Sequence, residues 1–227
     1  MGRKVFTISY DDGSKSDLKL IELMKKYGIR GTFNLNSGSY GIDGQPFWYN
    51  RLPFECLKDT YSNDFCEVAA HGYVHPDYTK LDYDAANEDI TRDVKKLEEI
   101  FGIRPIGFAY PFGAVDDKTV EILRKSGIKY SRTVWSTERF AIPEDWLYLN
   151  PTCHHINPKL LTLAKEFVDY KGDDDIMFYV WGHAHEFDEN NNWEILEQLF
   201  QCVAGKSDIL YLTNGQAYEL LTGGREV

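Results

Sequence analysis

Val5-Phe6-Thr7-Ile8-Ser9-Tyr10-Asp11-Asp12-Gly13 is the stretch that decides how the chain folds. Apolar and hydroxyl side chains alternate from Val5 to Tyr10, which is the period of a strand, and the run stops at two adjacent carboxylates. Burying one unpaired ionised carboxylate is costly and a second like charge makes it worse. A cation is therefore expected between the pair and water. Further along, His71-Gly72-Tyr73-Val74-His75 places two histidines four residues apart, a spacing that on a helical or turn-like segment turns both rings to one side and lets them share one metal ion. One aspartate and two histidines leave a coordination position open, where a bound water becomes a nucleophile.

Outward from the first strand, short apolar runs alternate with amphipathic segments of helical period. Leu18, Leu20, Ile21, Leu23 and Met24 form a stripe on a helix from Ser16 to Tyr27, closed by Gly28 as helix C-termini often are. Strands are predicted at 31–36, 67–70, 106–110, 130–134, 152–156, 176–181 and 209–212. Helices are predicted at 84–101, 116–125, 158–170, 193–203 and 216–221. Strand and helix alternating over short connections imply a parallel sheet. At 227 residues and 26.3 kDa, the expected architecture is a single closed or partly closed β/α barrel of seven or eight units around a parallel central sheet, with residues 1–227 forming one domain. Only segment 37–63, rich in Gly, Pro and aromatics, interrupts the pattern. A stretch of that length is either a lid or binding loop, or a packed surface excursion.

Composition excludes some partners. Thirty-six acidic against 25 basic residues give a net charge of −11, which opposes nucleic acid and anionic membranes. No apolar run approaches a membrane span, and the N-terminus enters a strand without a signal-peptide pattern. If the chain is complete, a cytoplasmic location is expected. Cys56, Cys66, Cys153 and Cys202 lack CxxC spacing and read as reduced, mostly buried thiols. Asp173-Asp174-Asp175 reads as a solvated acidic turn, because a calcium loop needs alternating oxygen ligands and a distal glutamate.

The chemistry-bearing residues cluster at predicted strand ends, and in a β/α barrel those C-terminal ends build the active-site mouth. Asp11 and Asp12 end the first strand, His71 and His75 follow the third, and Pro111-Phe112-Gly113 the fourth. His154 and His155 lie at the sixth, and His183 and His185 at the seventh. All six histidines belong to this set. Successive strand residues face opposite ways, so at most one of His154 and His155 is expected to reach the mouth. Tyr40, Phe47, Trp48, Tyr49, Trp135 and Trp181 are candidate aromatics for stacking on a ligand, with core or lid packing as the competing expectation.

These residues resemble the polysaccharide deacetylases, also called NodB-homology or carbohydrate esterase family 4 enzymes. Tyr10-Asp11-Asp12-Gly13 is similar to their first motif, His71-Gly72-Tyr73-Val74-His75 to the second and Tyr110-Pro111-Phe112-Gly113 to the third. The resemblance implies a metal-dependent hydrolase that removes acetyl groups from N- or O-acetylated carbohydrates. It implies a divalent cation, most readily zinc with cobalt, nickel or manganese as alternatives, held by Asp12, His71 and His75. By the same resemblance Asp11 is the general base, the Phe112 amide an oxyanion donor, and His183 the proton donor to the leaving group, with His185 as runner-up.

Two features depart from the pattern. Many family members carry an arginine just before the third-motif proline, where this chain has Phe108-Ala109-Tyr110. The fourth motif, an aspartate with a tryptophan, is not recognisable at Trp135 or Asp145-Trp146. Competing functions are hydrolysis of a C–N bond in a small cyclic amide or imide, and a barrel that binds acetylated sugars without turnover.

Overall fold

The computed structural model describes residues 2–223. Chain order runs β1 (Lys4–Asp11), α1 (Asp17–Tyr27), β2 (Gly31–Leu35), α2 (Leu57–Tyr61), β3 (Cys66–Ala70), α3 (Tyr83–Phe101), β4 (Gly107–Ala109), α4 (Asp117–Lys125), β5 (Tyr130–Arg132). It continues with β6 (Cys153–His154), α5 (Leu160–Asp169), β7 (Ile176–Gly182), α6 (His185–Glu189), α7 (Trp193–Val203), β8 (Ile209–Tyr211) and α8 (Asn214–Thr222). Every strand pairing is parallel, in the order β5-β4-β3-β2-β1-β7-β6, with β8 beside the lower half of β1. Between the edges β5 and β6, the chain around Leu149 and Thr152 hydrogen-bonds to Ser131 and Thr133 on one side and to Tyr179 of β7 on the other. The result is a distorted β/α barrel.

The alternation seen in β1 now has a physical meaning. Phe6, Ile8 and Tyr10 belong to the large cluster under the helices, where Phe178 meets Phe6, Phe140 and Phe167 at ring distances near 5.5 Å. Val5 joins a second cluster with Tyr130, Met177, Tyr179 and Trp181 in the barrel interior. The middle of that interior is polar. Thr7 donates to Asn214 (2.8 Å), Asn214 to Tyr179 (2.8 Å), and Thr32 and Tyr130 to Glu67 (both 2.8 Å). The N-terminus of α8 enters this network, the Gly215 amide donating to Glu67 at 2.8 Å. Buried polar groups are tolerated when each finds a partner, which is why hydroxyls alternate with apolar groups in β1.

Segment 37–63 is a packed excursion rather than a structureless lid. Tyr40, Leu52, Leu57 and Tyr61 enter the core while most of 41–50 is exposed. The thiols are free, but only Cys153 is fully buried and Cys56 is exposed, so the expectation of mostly buried cysteines is corrected. Asp175 of the acidic turn accepts from the Arg3 amide (2.6 Å) and its guanidinium Nε (2.9 Å). No helix among the described residues is long and apolar enough to cross a membrane.

Truncating Phe178, which touches three other rings and is fully buried, is expected to destabilise the fold by about 3–5 kcal/mol in urea titration. Leu18→Ala, at a half-exposed position of α1, is expected to stay within about 0.5 kcal/mol of the parent.

Candidate active site

Asp11 is the last residue of β1 and shares the interior face with Thr7 and Ser9. Its neighbour in register on β2 is Asn34, whose amide donates to Asp11 Oδ1 at 2.7 Å. The other oxygen, Oδ2, is held by the guanidinium of Arg132, which reaches across the barrel from β5 and lies 4.2 Å over the Trp181 ring. Burial pushes the Asp11 carboxyl up, but the charges of Arg132, His71 and His183 and the Asn34 hydrogen bond outweigh it and hold it at about 2. Arg132 on β5 thus supplies the cation for Asp11, where Phe108-Ala109-Tyr110 before Pro111 offers none.

An extended residue after Asp11 would point to the helix side. Asp12 escapes this because its φ is +82°, which turns its carboxylate back to the mouth. His75 (φ +54°) and Phe112 (φ +59°) also occupy the left-handed region, where a non-glycine residue costs about 1–3 kcal/mol and persists only if its surroundings impose it. Strain gathered at three neighbouring positions marks the mouth as a functional site.

His71 is buried, and its ring faces Ala109 O at 2.8 Å through Nδ1. Donation there leaves Nε2 with a free lone pair, 3.9 Å from Asp12 Oδ1. His75 meets His71 edge-on at 4.7 Å and Phe112 at 4.5 Å. The two histidines lie on a turn rather than a helix, and α3 fixes that turn with two carboxylates. Asp93 accepts from the His71 amide (3.0 Å) and from Ser37, and Asp89 from the Tyr73 amide (2.9 Å) and the Tyr78 hydroxyl (2.6 Å). Burial pushes the Asp93 carboxyl up to about 7 against those donors.

Ligand atoms of Asp12, His71 and His75 lie within 4.8 Å of one another. Asp12 Oδ1 is buried without an aligned hydrogen-bond partner, 3.1 Å from the Arg51 guanidinium. Burial lowers the His75 imidazole to about 4, and its neighbour His71 reinforces this, so the ring is neutral at physiological pH, as a ligating imidazole must be. A carboxylate oxygen and two neutral imidazoles suit a first-row divalent ion such as zinc.

His183 directly follows β7, and its Nε2 stands 3.9 Å from Asp11 Oδ2 and 4.0 Å from Asp12 Oδ2. Burial disfavours its imidazolium, but Glu186, Asp11 and Asp12 outweigh that and raise the His183 pKa. His185 does not continue an extended strand. It opens α6 and lies 3.9 Å from Glu189, so the geometric case for it as a second mouth donor fails. His155 is buried and His154 half-buried at the rim, but β6 ends at His154 and both rings reach Glu186, at 2.9 and 3.4 Å, so alternation does not part the two as expected. Asp145 caps the turn at Leu147 and pairs with Arg124 (2.7 Å), which removes it as a partner for His183. Among the candidate stacking aromatics, Tyr40 and Trp181 are buried, whereas Phe47, Tyr49 and Trp135 are exposed. A cleft of about 690 Å³ at the opposite end, between Arg30, Phe101 and Gly215, contains none of these residues.

Asn34, Arg51, Asp89, Asp93, Arg132 and Glu186 were not legible as site residues. Two carried a signal: Asp93 sits in the apolar stripe Ile90, Val94, Leu97, and Arg132 is a lone cation in a short buried strand.

A parallel barrel with an aspartate and histidine cluster at its C-terminal mouth defines a class of hydrolase-like folds, and the comparisons narrow it. Residues 1–131 match the family model described as polysaccharide deacetylase. The chain belongs to that family. A peptidoglycan deacetylase-like protein of Gibberella zeae is 32% identical over 68 residues, which is 30% of this chain and 20% of that protein. The match therefore spans about a fifth of that relative. Among solved structures, a Mycobacterium smegmatis protein assigned as a polysaccharide deacetylase superposes with a TM-score of 0.67 at 16% identity, covering 98% of this chain and 92% of the other. A family 4 carbohydrate esterase from Streptomyces lividans, in complex with acetate, gives a TM-score of 0.59 at 17% identity, covering 92% of each chain. At these identities the likeness concerns the fold.

Arg132→Met leaves Asp11 as a buried charge without its cation, and urea titration at pH 7 is expected to show a loss of about 3–5 kcal/mol. In the parent, the stability from ionised Asp11 is full above its unfolded pKa of about 4 and is lost as pH falls toward the folded value of about 2. In the variant the folded pKa rises, so acid relieves the unpaired charge. The stability gap between the two proteins is therefore expected to narrow from pH 7 to pH 4; a constant gap would contradict the pairing.

Proposed function

We propose that the protein is a metal-dependent carbohydrate deacetylase, hydrolysing N- or O-acetyl groups of an acetylated saccharide. The observation that carries this reading is the placement of three groups at one mouth: the Asp12-His71-His75 cluster within 4.8 Å, the doubly held Asp11 and, 3.9 Å from it, His183. A divalent ion held by Asp12, His71 and His75, zinc first with cobalt, nickel or manganese as alternatives, would supply Lewis acidity toward the acyl oxygen and acidify a water there.

The chain's own residues do the rest. Both Asp11 oxygens are engaged, by Asn34 and Arg132, so Asp11 is kept ionised and kept from ligating, and it takes the proton of the attacking water. Pro111 has no N–H, and the turn that Phe112 makes at positive φ presents its amide as the first donor available to the oxyanion. Gly113 makes that turn possible, since at its φ of +70° a Cβ would lie 2.2 Å from Val134. His183 then gives its Nε2 proton to the leaving nitrogen or oxygen. Exposed Phe112 and Trp135 offer flat apolar surface beside the mouth for a sugar ring.

Protein loaded with zinc or cobalt is expected to release acetate from acetylated chito-oligosaccharides or acetylated xylan. Asp11→Asn is expected to lower that rate by about 10²- to 10⁴-fold without loss of the ion, and His71→Ala to lower bound zinc measured by elemental analysis. An ion-loaded parent that releases no acetate from any of these substrates or from small acetyl esters sinks the reading.

A further inference from the structure

Three imidazoles from two strand ends converge on one carboxylate. His155 Nε2 lies 2.9 Å from Glu186 Oε2, His154 Nε2 lies 3.4 Å from the same oxygen, and His183 Nδ1 lies 3.3 Å from Oε1. His154, His183 and Glu186 are close enough to share a cation, but the protons argue otherwise. The Ile156 amide donates to His154 Nδ1 at 3.3 Å, so the neutral ring carries its hydrogen on Nε2, the atom that faces Glu186. No lone pair is left there for a metal. The cluster is a set of three imidazoles gathered around one carboxylate.

The acceptor is also fixed in place. His155 is sealed in the core, stacked at 4.1 Å on Phe187 and at 5.7 Å on Tyr10. It passes β7 only because residue 182 is glycine: a Cβ there would stand 2.1 Å from His155 Nδ1. Buried His155 Nε2 and His183 Nδ1 have no aligned hydrogen-bond partner, Glu186 is the carboxylate beside each, at 2.9 and 3.3 Å, and a buried donor left unmet costs stability. Glu186 lies one turn beyond His183, its amide donating to His183 O at 3.1 Å, so the carboxylate and the ring it serves share a single rigid turn.

We propose that Glu186 is the positioning residue for proton donation: it takes the Nδ1–H of His183, clamped from behind by His155, and so presents His183 Nε2 to the leaving group. The proposal rests on the reading of His183 as the acid. As the C–N or C–O bond of the tetrahedral intermediate breaks, its electron pair stays with the leaving atom, which takes the Nε2 proton. His183 is left neutral with Nδ1–H still on Glu186. The proton that Asp11 took from water then crosses the 3.9 Å to Nε2 and restores both groups.

The test uses two acetyl donors with unlike leaving groups. An aryl ester such as p-nitrophenyl acetate departs as a stable phenolate and needs no proton, whereas an N-acetylated sugar must receive one. With the ion-loaded protein, Glu186→Gln is expected to lower kcat for the acetylated sugar by about 10²-fold while changing aryl acetate hydrolysis by less than about 3-fold, with KM little altered. His155→Phe, which keeps the stacking and removes the clamp, is expected to give the same selective loss to a smaller degree; it carries the test if Glu186→Gln does not fold. Equal losses on both substrates, or none, in whichever variant folds overturn the proposal. His183→Gln separates the two levels. If its loss is selective for the sugar and that of Glu186→Gln is not, the positioning role alone fails; if its own loss is unselective, the assignment of His183 as the acid fails.

Discussion

The buried pair between Arg132 and Asp11 is the constraint around which the mouth is arranged. A carboxylate at the end of a central strand, almost fully removed from water, must be neutralised, protonated or paired. Here it is paired across the barrel rather than along a strand, with Asn34 satisfying the remaining oxygen. Buried ion pairs add little to stability over an apolar replacement, yet removing one partner alone is severe. The arrangement therefore reads as one retained for what Asp11 does. It also separates the two adjacent aspartates: Asp11 is tied by protein donors on both oxygens, while Asp12, swung round by its positive φ, keeps an oxygen without an aligned partner.

The histidine side follows the same logic with opposite sign. His71 and His75 meet the two conditions set for a ligating imidazole, neutrality and fixed orientation. Burial keeps both below the usual imidazole range, and Ala109 O selects the His71 tautomer. The strained backbone at His75 is held by Asp89 and Asp93, one turn apart on α3, whose carboxylates take the amides of the turn. A long helix is a good anchor for this purpose because its position is set by its own apolar face, Ile90, Val94 and Leu97. The strain is thus supported by a helix that does not enter the mouth.

What could be read from the sequence and what could not divides along physical lines. The strands and longer helices were legible because alternation and helical periodicity are local. Asp11, Asp12, His71 and His75 stood out because polar groups ended otherwise apolar runs. Arg132 and Glu186 were hidden because their importance comes from reach across the barrel or around a turn, which no spacing encodes. The segment after β7 hides its geometry for a related reason. Gly182-His183-Ala184-His185 looks extended when only its alternation is considered, yet the chain turns into α6 there, and that turn brings Glu186 under His183.

The layout of the mouth follows largely from strand register. The ladder between β1 and β7 ends with Tyr10 opposite Gly182, so the next residues on the two strands are Asp11 and His183. On the other flank of β1, Asp11 stands opposite Asn34, and the β2–β3 ladder ends with Leu35 opposite Ala70, so His71 comes next. One continuous parallel sheet thus delivers Asp11, Asn34, His71 and His183 to the same rim. A slip of one residue in either ladder would turn these side chains to the helix side, and Phe6, Ile8 and Phe178, buried under the helices, make that slip costly. The packing that stabilises the barrel is therefore also what sets the 3.9 Å separation of Asp11 and His183.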